Sequence, residues 1–508
     1  MHGGIRLKWI RNKVGLLLSL TVFAFMLIWF THVHPFVLLT GDDWLYIAKP
    51  RAAIPWISAW NPSRILPEIL MPACGNIAVF VLYPIVKDYV FSFTLVFAIT
   101  ASLFVALYIY AFYRFIRCKI QTTNAVSGLV AVAFFLTHFL VMRSSVAGNK
   151  YLFGNTSPTN LYYYIIPTLL NGTLVFYFEM IEAEDRSIAL DCSVRTGLML
   201  IVLFLAIFSN MYSSVVLAVY AGVKLLCIVL KRIANGSKLS RHLYKGTARY
   251  LIVLGMWLVS IVMEFFGGRS RAIRGQNGSF RLAKTAMAFI QTATAVKKSF
   301  VLASVLLLLA IVILLRIRRK KCADNVDRNI AATLLAMLPC GILTAMYMVL
   351  LSAIVAPSYI RTSKVWIAIL FFFLSAIVTG CAYIVKRFPK LAVALPLMVL
   401  ILGTMIDTPD MTFGDGTYAN LDASVCMAID NYMIDAIIRA DAEGKTEVTV
   451  DVPVNQDRDD NWPLPAYMGN RLSYVTYLHR LTSRRIEVTF RPDPEVNKRF
   501  SLNEHMEH

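Results

Sequence analysis

Charged residues are scarce in this sequence. Only 16% of the 508 residues are charged, and 58% are hydrophobic, whereas soluble domains carry about 25% charged residues. A water-soluble protein of this length must present a large polar surface, so the shortage of charge excludes that class. The class that fits is a polytopic membrane protein, as the mean hydropathy of +0.63 also indicates.

Acidic residues are scarcest outside the C-terminal region. Residues 410–508 hold 17 acids and 10 bases, and the other 409 residues hold 13 acids and 40 bases. This asymmetry predicts a basic transmembrane body over 1–408 and a small soluble domain over 409–508. The basic excess lies in the apolar part of the chain, so membrane lipid is an expected partner and nucleic acid is not.

The eight cysteines lack the paired spacing of a metal site or of a disulfide framework. Most lie in or beside apolar runs, where a cysteine acts as a small hydrophobic residue. Neither a zinc site nor a disulfide scaffold is predicted.

Long apolar runs are abundant, and runs of about 18 or more residues predict transmembrane helices. About eleven are recognised, provided that the polar residues 209–214 form a turn and not a kink. The predicted fold class is therefore an all-α polytopic membrane protein, to which the tail adds a small C-terminal α/β extracytoplasmic domain. The predicted spans are 14–34, 88–112, 124–142, 161–181, 197–210, 213–230, 250–267, 299–315, 330–354, 365–385 and 391–407.

The orientation follows from Lys and Arg, which concentrate in short cytoplasmic loops. Four basic residues within 6–13 precede the first span, which predicts a cytoplasmic N-terminus and an uncleaved anchor. An odd number of spans then places the tail outside. Within that tail, helical spacing over 419–442 and near 466–481, and alternation over 446–454 and 486–491, predict an α/β unit after a hinge at 407–416.

The first outer loop, residues 35–87, holds the sharpest local signal. Asp42 and Asp43 are adjacent carboxylates just after the first span. Repulsion between two such groups can make one of them basic enough to accept a proton from a hydroxyl. The alternative is that residues 41–43 form only a turn and a helix cap. Residues 71–86 of the same loop are apolar and predict an interfacial or re-entrant helix rather than a span.

Basic residues on the predicted outer side run against the positive-inside bias, so they need another reason. Arginine and lysine bind phosphate or pyrophosphate oxygens. The alternative, favoured for Lys297 and Lys298, is a solvated loop that touches lipid headgroups. The candidate substrate- or phosphate-binding residues are Arg64, Glu68, Arg143, Lys150, Arg269, Arg271, Arg274, Tyr359 and Arg361.

Aromatic residues collect at the predicted membrane interfaces, where a belt of tyrosine and tryptophan is expected in any membrane protein. This belt explains them, and stacking against sugars is the alternative. They are Trp44, Trp56, Trp60, Tyr151, Tyr162, Tyr163 and Tyr164.

The predicted topology and the carboxylate pair together resemble the GT-C class of integral membrane glycosyltransferases. Within that class, the motif Gly41-Asp42-Asp43-Trp44 and the segments 60–64 and 356–363 resemble bacterial serotype-converting O-antigen glucosyltransferases. In the tail, residues 459–462 and 466–468 are similar to these enzymes too. Relatives often have Gly-Arg after the tryptophan of the second segment, where this chain has Ser63-Arg64.

The resemblance implies an inverting glycosyltransferase in the bacterial inner membrane, with its C-terminal domain in the periplasm. The donor would be a polyprenyl-phosphate-linked sugar, glucose by the resemblance, and the acceptor a lipid-linked polysaccharide such as O-antigen. The resemblance assigns the catalytic base to Asp42 or Asp43. It leaves a divalent metal undecided, because two carboxylates without a nearby histidine fit either case. A transporter or flippase of lipid-linked saccharides, and an O-antigen polymerase, are the alternatives.

Overall fold

The computed structural model describes residues 13–49, 62–142, 151–153, 157–184, 193–234, 242–268, 270–271, 281–319, 325–405, 423–454 and 465–502. The predicted all-α polytopic membrane class is confirmed, because nine helices within these ranges are long and apolar enough to cross a membrane. Three shorter apolar helices accompany them. The predicted hinge at 407–416 lies outside the described residues.

The helices of the body follow the apolar runs of the sequence closely. In chain order they are α1 (Lys13–Val33), α2 (Gly41–Tyr46), α3 (Ile65–Val86), α4 (Tyr89–Ile120), α5 (Asn124–Leu140), α6 (Pro158–Ala183), α7 (Val194–Ile207), α8 (Met211–Ala234), α9 (His242–Phe266), α10 (Leu282–Ala293), α11 (Lys298–Arg319), α12 (Asn325–Val355), α13 (Ser363–Arg387) and α14 (Ala394–Met405). The nine long helices are α1, α3, α4, α6, α8, α9, α11, α12 and α13, and the shorter apolar ones are α5, α7 and α14.

Two local predictions for the transmembrane body have different outcomes. The polar break after α7 is a turn, as predicted, because Asn210 caps the new helix through Tyr212 N and also donates to the carbonyl of Tyr163. Helix α3 begins at Ile65, earlier than the predicted segment 71–86, and by length and composition it suits a span. Its assignment as an interfacial or re-entrant helix stays a prediction.

One end of the helix bundle is held by buried ion pairs, and we call it the Glu179 end. Glu179 of α6 lies 2.7 Å from Nζ of Lys119 in α4 and 2.6 Å from Nζ of Lys224 in α8. At the same end Lys386, near the C-terminus of α13, donates to the carbonyl of Ile120. The C-terminal ends of α4, α6, α8 and α13 therefore meet here.

The opposite end, which we call the Asp43 end, is joined through the backbone. Leu66 N of α3 donates to the carbonyl of Phe208 after α7, and Lys297 N before α11 donates to that of Val141 after α5. The C-terminal end of one helix thus meets the N-terminal end of another at each junction. When the shorter helices α5 and α7 are included, α4 to α8 therefore run in alternating directions between the two ends.

The C-terminal part is a small α/β unit made of α15 (Ala423–Ala442), β1 (Glu447–Val452), α16 (Pro465–Leu478), β2 (Glu487–Pro492) and α17 (Pro494–Arg499). The two strands pair in parallel, with Val450 opposite Phe490. A parallel pair needs a crossover connection, and α16 supplies it. These elements lie close to the predicted ones.

The α/β unit packs on the Asp43 end of the body. His479, just after α16, shares a 2.7 Å hydrogen bond with the hydroxyl of Tyr89, the first residue of α4. Asn431 of α15 donates to Asp88, whose carboxylate also caps α4 at Phe91 N. Helix α16 lies against α2. The short helix that carries the two aspartates is therefore covered by the C-terminal unit.

Candidate functional site

Helix α2 presents the two aspartates in opposite environments. Thr40 and Asp43 form a capping box, in which each side chain accepts from the other's backbone N–H. Asp43 is fully buried, and Asp42 is 58% exposed. Adjacent residues on a helix point about 100° apart, so one carboxylate faces the interior and the other the surface.

Asp43 is held by five hydrogen bonds. Its Oδ2 accepts from Leu39 N at 3.1 Å, from Thr40 N at 2.8 Å and from the Thr40 hydroxyl at 2.9 Å. Its Oδ1 accepts from the Ser157 hydroxyl and from Thr159 N, both at 2.9 Å. Burial raises the pKa of Asp43, and the hydrogen bonds oppose that shift. This carboxylate therefore fastens the first loop to the start of α6.

Asp42 faces the C-terminal unit. Its Oδ1 lies 3.7 Å from Nη1 of Arg471, on α16. An exposed carboxylate can be reached by an incoming group and can accept a proton from it, whereas the carboxylate of Asp43 has its lone pairs occupied. Of the two predicted candidates, Asp42 is the one that an incoming group can reach, and Asp43 has a structural position.

The N-terminal end of α3 carries the next part of the site. Arg64 and Glu68 are both buried there, one turn apart. The guanidinium of Arg64 lies 5.6 Å from the ring centre of Tyr163. The preceding Ser63 donates a 2.6 Å hydrogen bond to Glu264, near the end of α9. Burial lowers the pKa of Arg64, but Tyr164, Glu264, Tyr163 and Glu68 together raise it above its ordinary value.

Gly75 lets α3 approach the chain after α2. A Cβ at this position would collide with the backbone carbonyl of Ile47. Because the contact is with backbone, a side chain could not be accommodated by a rotamer change. The glycine therefore sets the distance between α2, which carries Asp42, and α3, which begins just after Arg64.

Helix α6 carries three consecutive tyrosines in a π-helical turn, Leu161–Ile165, and two of them, Tyr163 and Tyr164, lie near Arg64 or Lys364. Such turns occur often at functional sites, because one extra residue re-aims the side chains. The prediction that these tyrosines form a headgroup belt is wrong, since they are buried inside the protein, as is Trp44, and Tyr151 is 8% exposed. Trp56 and Trp60 lie outside the described residues. The buried tyrosines are Tyr162, Tyr163 and Tyr164.

A lysine lies on the other side of these tyrosines. Nζ of Lys364, in the first turn of α13, is 4.9 Å from the ring centre of Tyr164 and 5.0 Å from that of Tyr359. It also donates to Oδ1 of Asn160 at 2.9 Å. Tyr359 stacks on Tyr212 with ring centres 5.7 Å apart. Cation–π contacts of this kind hold an ammonium group against aromatic faces.

The remaining predicted residues do not join this cluster. Arg361 is exposed and donates to Gln291 at 2.9 Å, and Arg271 is exposed and donates to the carbonyl of Phe266. Among the residues that the structure describes, no contact links either arginine to Arg64. The other predicted cations lie outside the described residues; they are Arg143, Lys150, Arg269 and Arg274.

Metal ligands are not grouped in the described part of the chain, where no set of three or more His, Cys, Asp or Glu side chains lies in a position to hold an ion. Asp42 lies beside Arg471, and Glu264 and Glu68 both act electrostatically on Arg64. The arrangement supports proton transfer and charge stabilisation by side chains.

Several residues of the site were not predicted from the sequence. Ser157 and Thr159 hold Asp43, and Glu264 accepts from Ser63. Arg471 and Lys364 supply cations from distant parts of the chain. The one sequence signal for Lys364 was its position in the short polar loop that also contains Tyr359 and Arg361.

Comparison with known proteins finds no matching family model, no matching curated protein and no matching solved structure.

Proposed function

We propose that the protein is an inverting GT-C-type glycosyltransferase. It takes a sugar from a polyprenyl-phosphate carrier and adds it to a lipid-linked polysaccharide. The observation that carries the proposal is the exposed carboxylate of Asp42, at one end of an apolar helix bundle and beside Arg471. A hydroxyl nucleophile and a lipid-linked phosphate would meet at such a place, because the lipid tail needs the membrane and the polysaccharide needs water.

The proposed reaction is a single displacement. Asp42 accepts the proton of the acceptor hydroxyl while that oxygen forms a bond to the anomeric carbon. The bond between the anomeric carbon and the phosphate oxygen breaks, and its electron pair leaves with the phosphate. Nearby cations stabilise the negative charge that develops on the leaving group. In the described site these cations are Arg64, Lys364 and Arg471.

The alternating helix directions support a finer topology. We infer eleven spans, a cytoplasmic N-terminus and a periplasmic C-terminal unit, with α3 at the outer surface beside α2. The Glu179 end is then cytoplasmic, which agrees with the Lys and Arg in the last turns of α4 and α8. Alkaline phosphatase fused after His508 should be active, and a fluorescent protein fused there, exported by the general secretory route, should be dark. The reverse pattern contradicts this topology.

The direct test is sugar transfer by membranes that contain the protein. Radiolabelled undecaprenyl-phosphate glucose and other polyprenyl-phosphate sugars are supplied, and label in lipopolysaccharide is followed. The Asp42→Asn variant should lose about 10²- to 10⁴-fold of the transfer rate, the usual contribution of a general base. Asp451→Asn is the matched control, because Asp451 is also paired with an arginine, Arg491, but lies in β1 away from α2.

The alternatives give different results in the same assay. A flippase moves the labelled lipid across the membrane without releasing free polyprenyl phosphate. A polymerase lengthens the polysaccharide without using a single-sugar donor. Transfer from a polyprenyl-phosphate sugar that survives Asp42→Asn unchanged would remove Asp42 from the mechanism.

A further inference from the structure

The hydroxyl of Tyr163 is buried and has no assigned role. The residue is 2% exposed, and its hydroxyl oxygen has no hydrogen-bond partner among the described residues. Buried polar groups are nearly always hydrogen-bonded, and those that are not tend to lie where a ligand, ion or water binds. Tyr163 also lies in the π-helical turn of α6, a second feature that is frequent at functional sites.

The surroundings of this hydroxyl belong to the candidate site. Its ring is 5.6 Å from the guanidinium carbon of Arg64 and 5.2 Å from the ring of Tyr46, in α2. The hydroxyl is close enough to interact electrostatically with Glu68 and with Asp42. Tyr163 is therefore near both the proposed base and a proposed phosphate-stabilising cation.

The local charges indicate which ligand group would occupy this position. Two carboxylates, Glu68 and Asp42, and one guanidinium, Arg64, act on the tyrosine. Arg64 is itself under the influence of Glu68 and Glu264. A phosphate placed against Tyr163 would meet the repulsion of these carboxylates. An uncharged hydroxyl meets no such repulsion and can both donate to and accept from a phenol.

We propose that the hydroxyl of Tyr163 hydrogen-bonds a hydroxyl group of the sugar that is transferred, and so helps to select the donor. This inference rests on the proposed function and specifies the sugar-binding part of the same site. The sugar carries the reacting carbon, so it must lie between the base and the leaving phosphate, and Tyr163 is near both the proposed base and a proposed phosphate-stabilising cation. No bond is made or broken by this residue.

The chain offers a matched control in the preceding residue. Tyr162 is equally buried, lies in the same π-helical turn and also has no hydrogen-bond partner for its hydroxyl among the described residues. Its surroundings differ, because its ring packs on Phe97 and its hydroxyl faces Cys74 and Thr100 and not the charged residues near Asp42. Tyr162→Phe and Tyr163→Phe each delete one oxygen and retain the ring. A purely structural effect of losing a buried hydroxyl should therefore appear in both variants.

The experiment measures kcat/KM for polyprenyl-phosphate glucose and for donors that lack one sugar hydroxyl at a time. The wild type should prefer the full sugar to one deoxy donor by at least about tenfold, the value of one lost hydrogen bond. Tyr163→Phe should lower kcat/KM for the full sugar by a similar factor and abolish that preference. Tyr162→Phe should keep it.

The outcomes separate the inference from the proposed function. If the wild type transfers sugar and Tyr163→Phe keeps every deoxy-donor preference, the inference is overturned while the glycosyltransferase stands, and the buried hydroxyl then binds only water. If the wild type transfers no sugar, the proposed function fails. In that case, thermal stabilisation by polyprenyl-phosphate glucose is compared with that by polyprenyl phosphate. A preference for the glucosylated lipid that Tyr163→Phe removes still supports the contact, and equal stabilisation overturns it.

Discussion

The Nη1 atom of Arg471 lies 3.7 Å from Oδ1 of Asp42, although 429 positions of sequence separate the two residues. The contact joins the C-terminal unit to the first loop at Asp42, the exposed member of the aspartate pair. A substrate that reaches Asp42 must therefore share the space with α16. The C-terminal unit is in this way part of the candidate site and not a separate appendage.

The role of this contact predicts the effect of Arg471→Ala. Loss of the cation beside the proposed base should lower sugar transfer by about tenfold, while stability changes by at most about 1 kcal/mol, because partly exposed ion pairs contribute little. Transfer kinetics and thermal unfolding in detergent measure the two effects. Arg491→Ala removes an exposed ion pair with Asp451 in the same unit and should leave transfer unchanged. An equal loss in both variants would show that the effect is general to the C-terminal unit.

Asp43→Asn tests the structural position of the buried aspartate. An amide has one acceptor oxygen, so its NH2 group would face donors such as Thr159 N or Thr40 N. The variant should lose about 2–4 kcal/mol of unfolding free energy, because buried donors are left unsatisfied. Asp42→Asn, at the exposed neighbour, should change stability by less than about 1 kcal/mol. Thermal unfolding of both variants checks this, and equal stabilities would contradict the assignment.

The docking of His479 predicts a pH dependence. Burial lowers the pKa of His479 to about 4 from its ordinary value of 6.5, and the nearby backbone of Ile47 opposes the shift. Between pH 6.5 and pH 4 the unfolded chain binds a proton that the folded chain does not. The contribution of neutral His479 to the free energy of unfolding is therefore intact above pH 6.5. It is lost as the pH falls towards 4, by up to about 1.4 kcal/mol per pH unit.

The measurement is the unfolding temperature of wild type and His479→Gln over this pH range. The wild type should lose more stability than the variant on acidification. His34 is half-buried, and its pKa is also lowered to about 4 by desolvation, so its contribution remains in both proteins and cancels in the comparison. Parallel pH profiles for the two proteins would exclude the role given to His479.

The buried ion pairs at the Glu179 end predict that a substitution far from the candidate site has a large effect on stability. Glu179 is fully buried and forms ion pairs with both Lys119 and Lys224. Glu179→Gln leaves two buried ammonium groups with less compensation and should cost about 3–5 kcal/mol. Glu182 contacts the same lysines but is 40% exposed, so Glu182→Gln should cost clearly less. Unfolding in detergent ranks the two variants, and the opposite order would contradict the assignment of Glu179 as the central anion.

Much of the helical framework could be predicted from the sequence, because apolar runs of membrane length have one stable solution in lipid. The break at Asn210 and the strands on either side of α16 were predicted for similar local reasons. The N-terminal extent of α3 was not predicted. Residues 65–70 lie before the apolar segment 71–86, and the helix lacks a side-chain cap that would mark its start.

The candidate site shows more clearly which features could be predicted from the sequence and which could not. The sequence by itself determined the membrane class and singled out a carboxylate pair in the first loop, since both follow from composition and local spacing. Only the tertiary structure decided that Asp43 is buried under Ser157 and Thr159 while Asp42 is exposed to Arg471. It also brought Tyr163 beside Arg64. These relationships join residues tens to hundreds of positions apart, and such contacts are set by how helices pack, which no local pattern encodes.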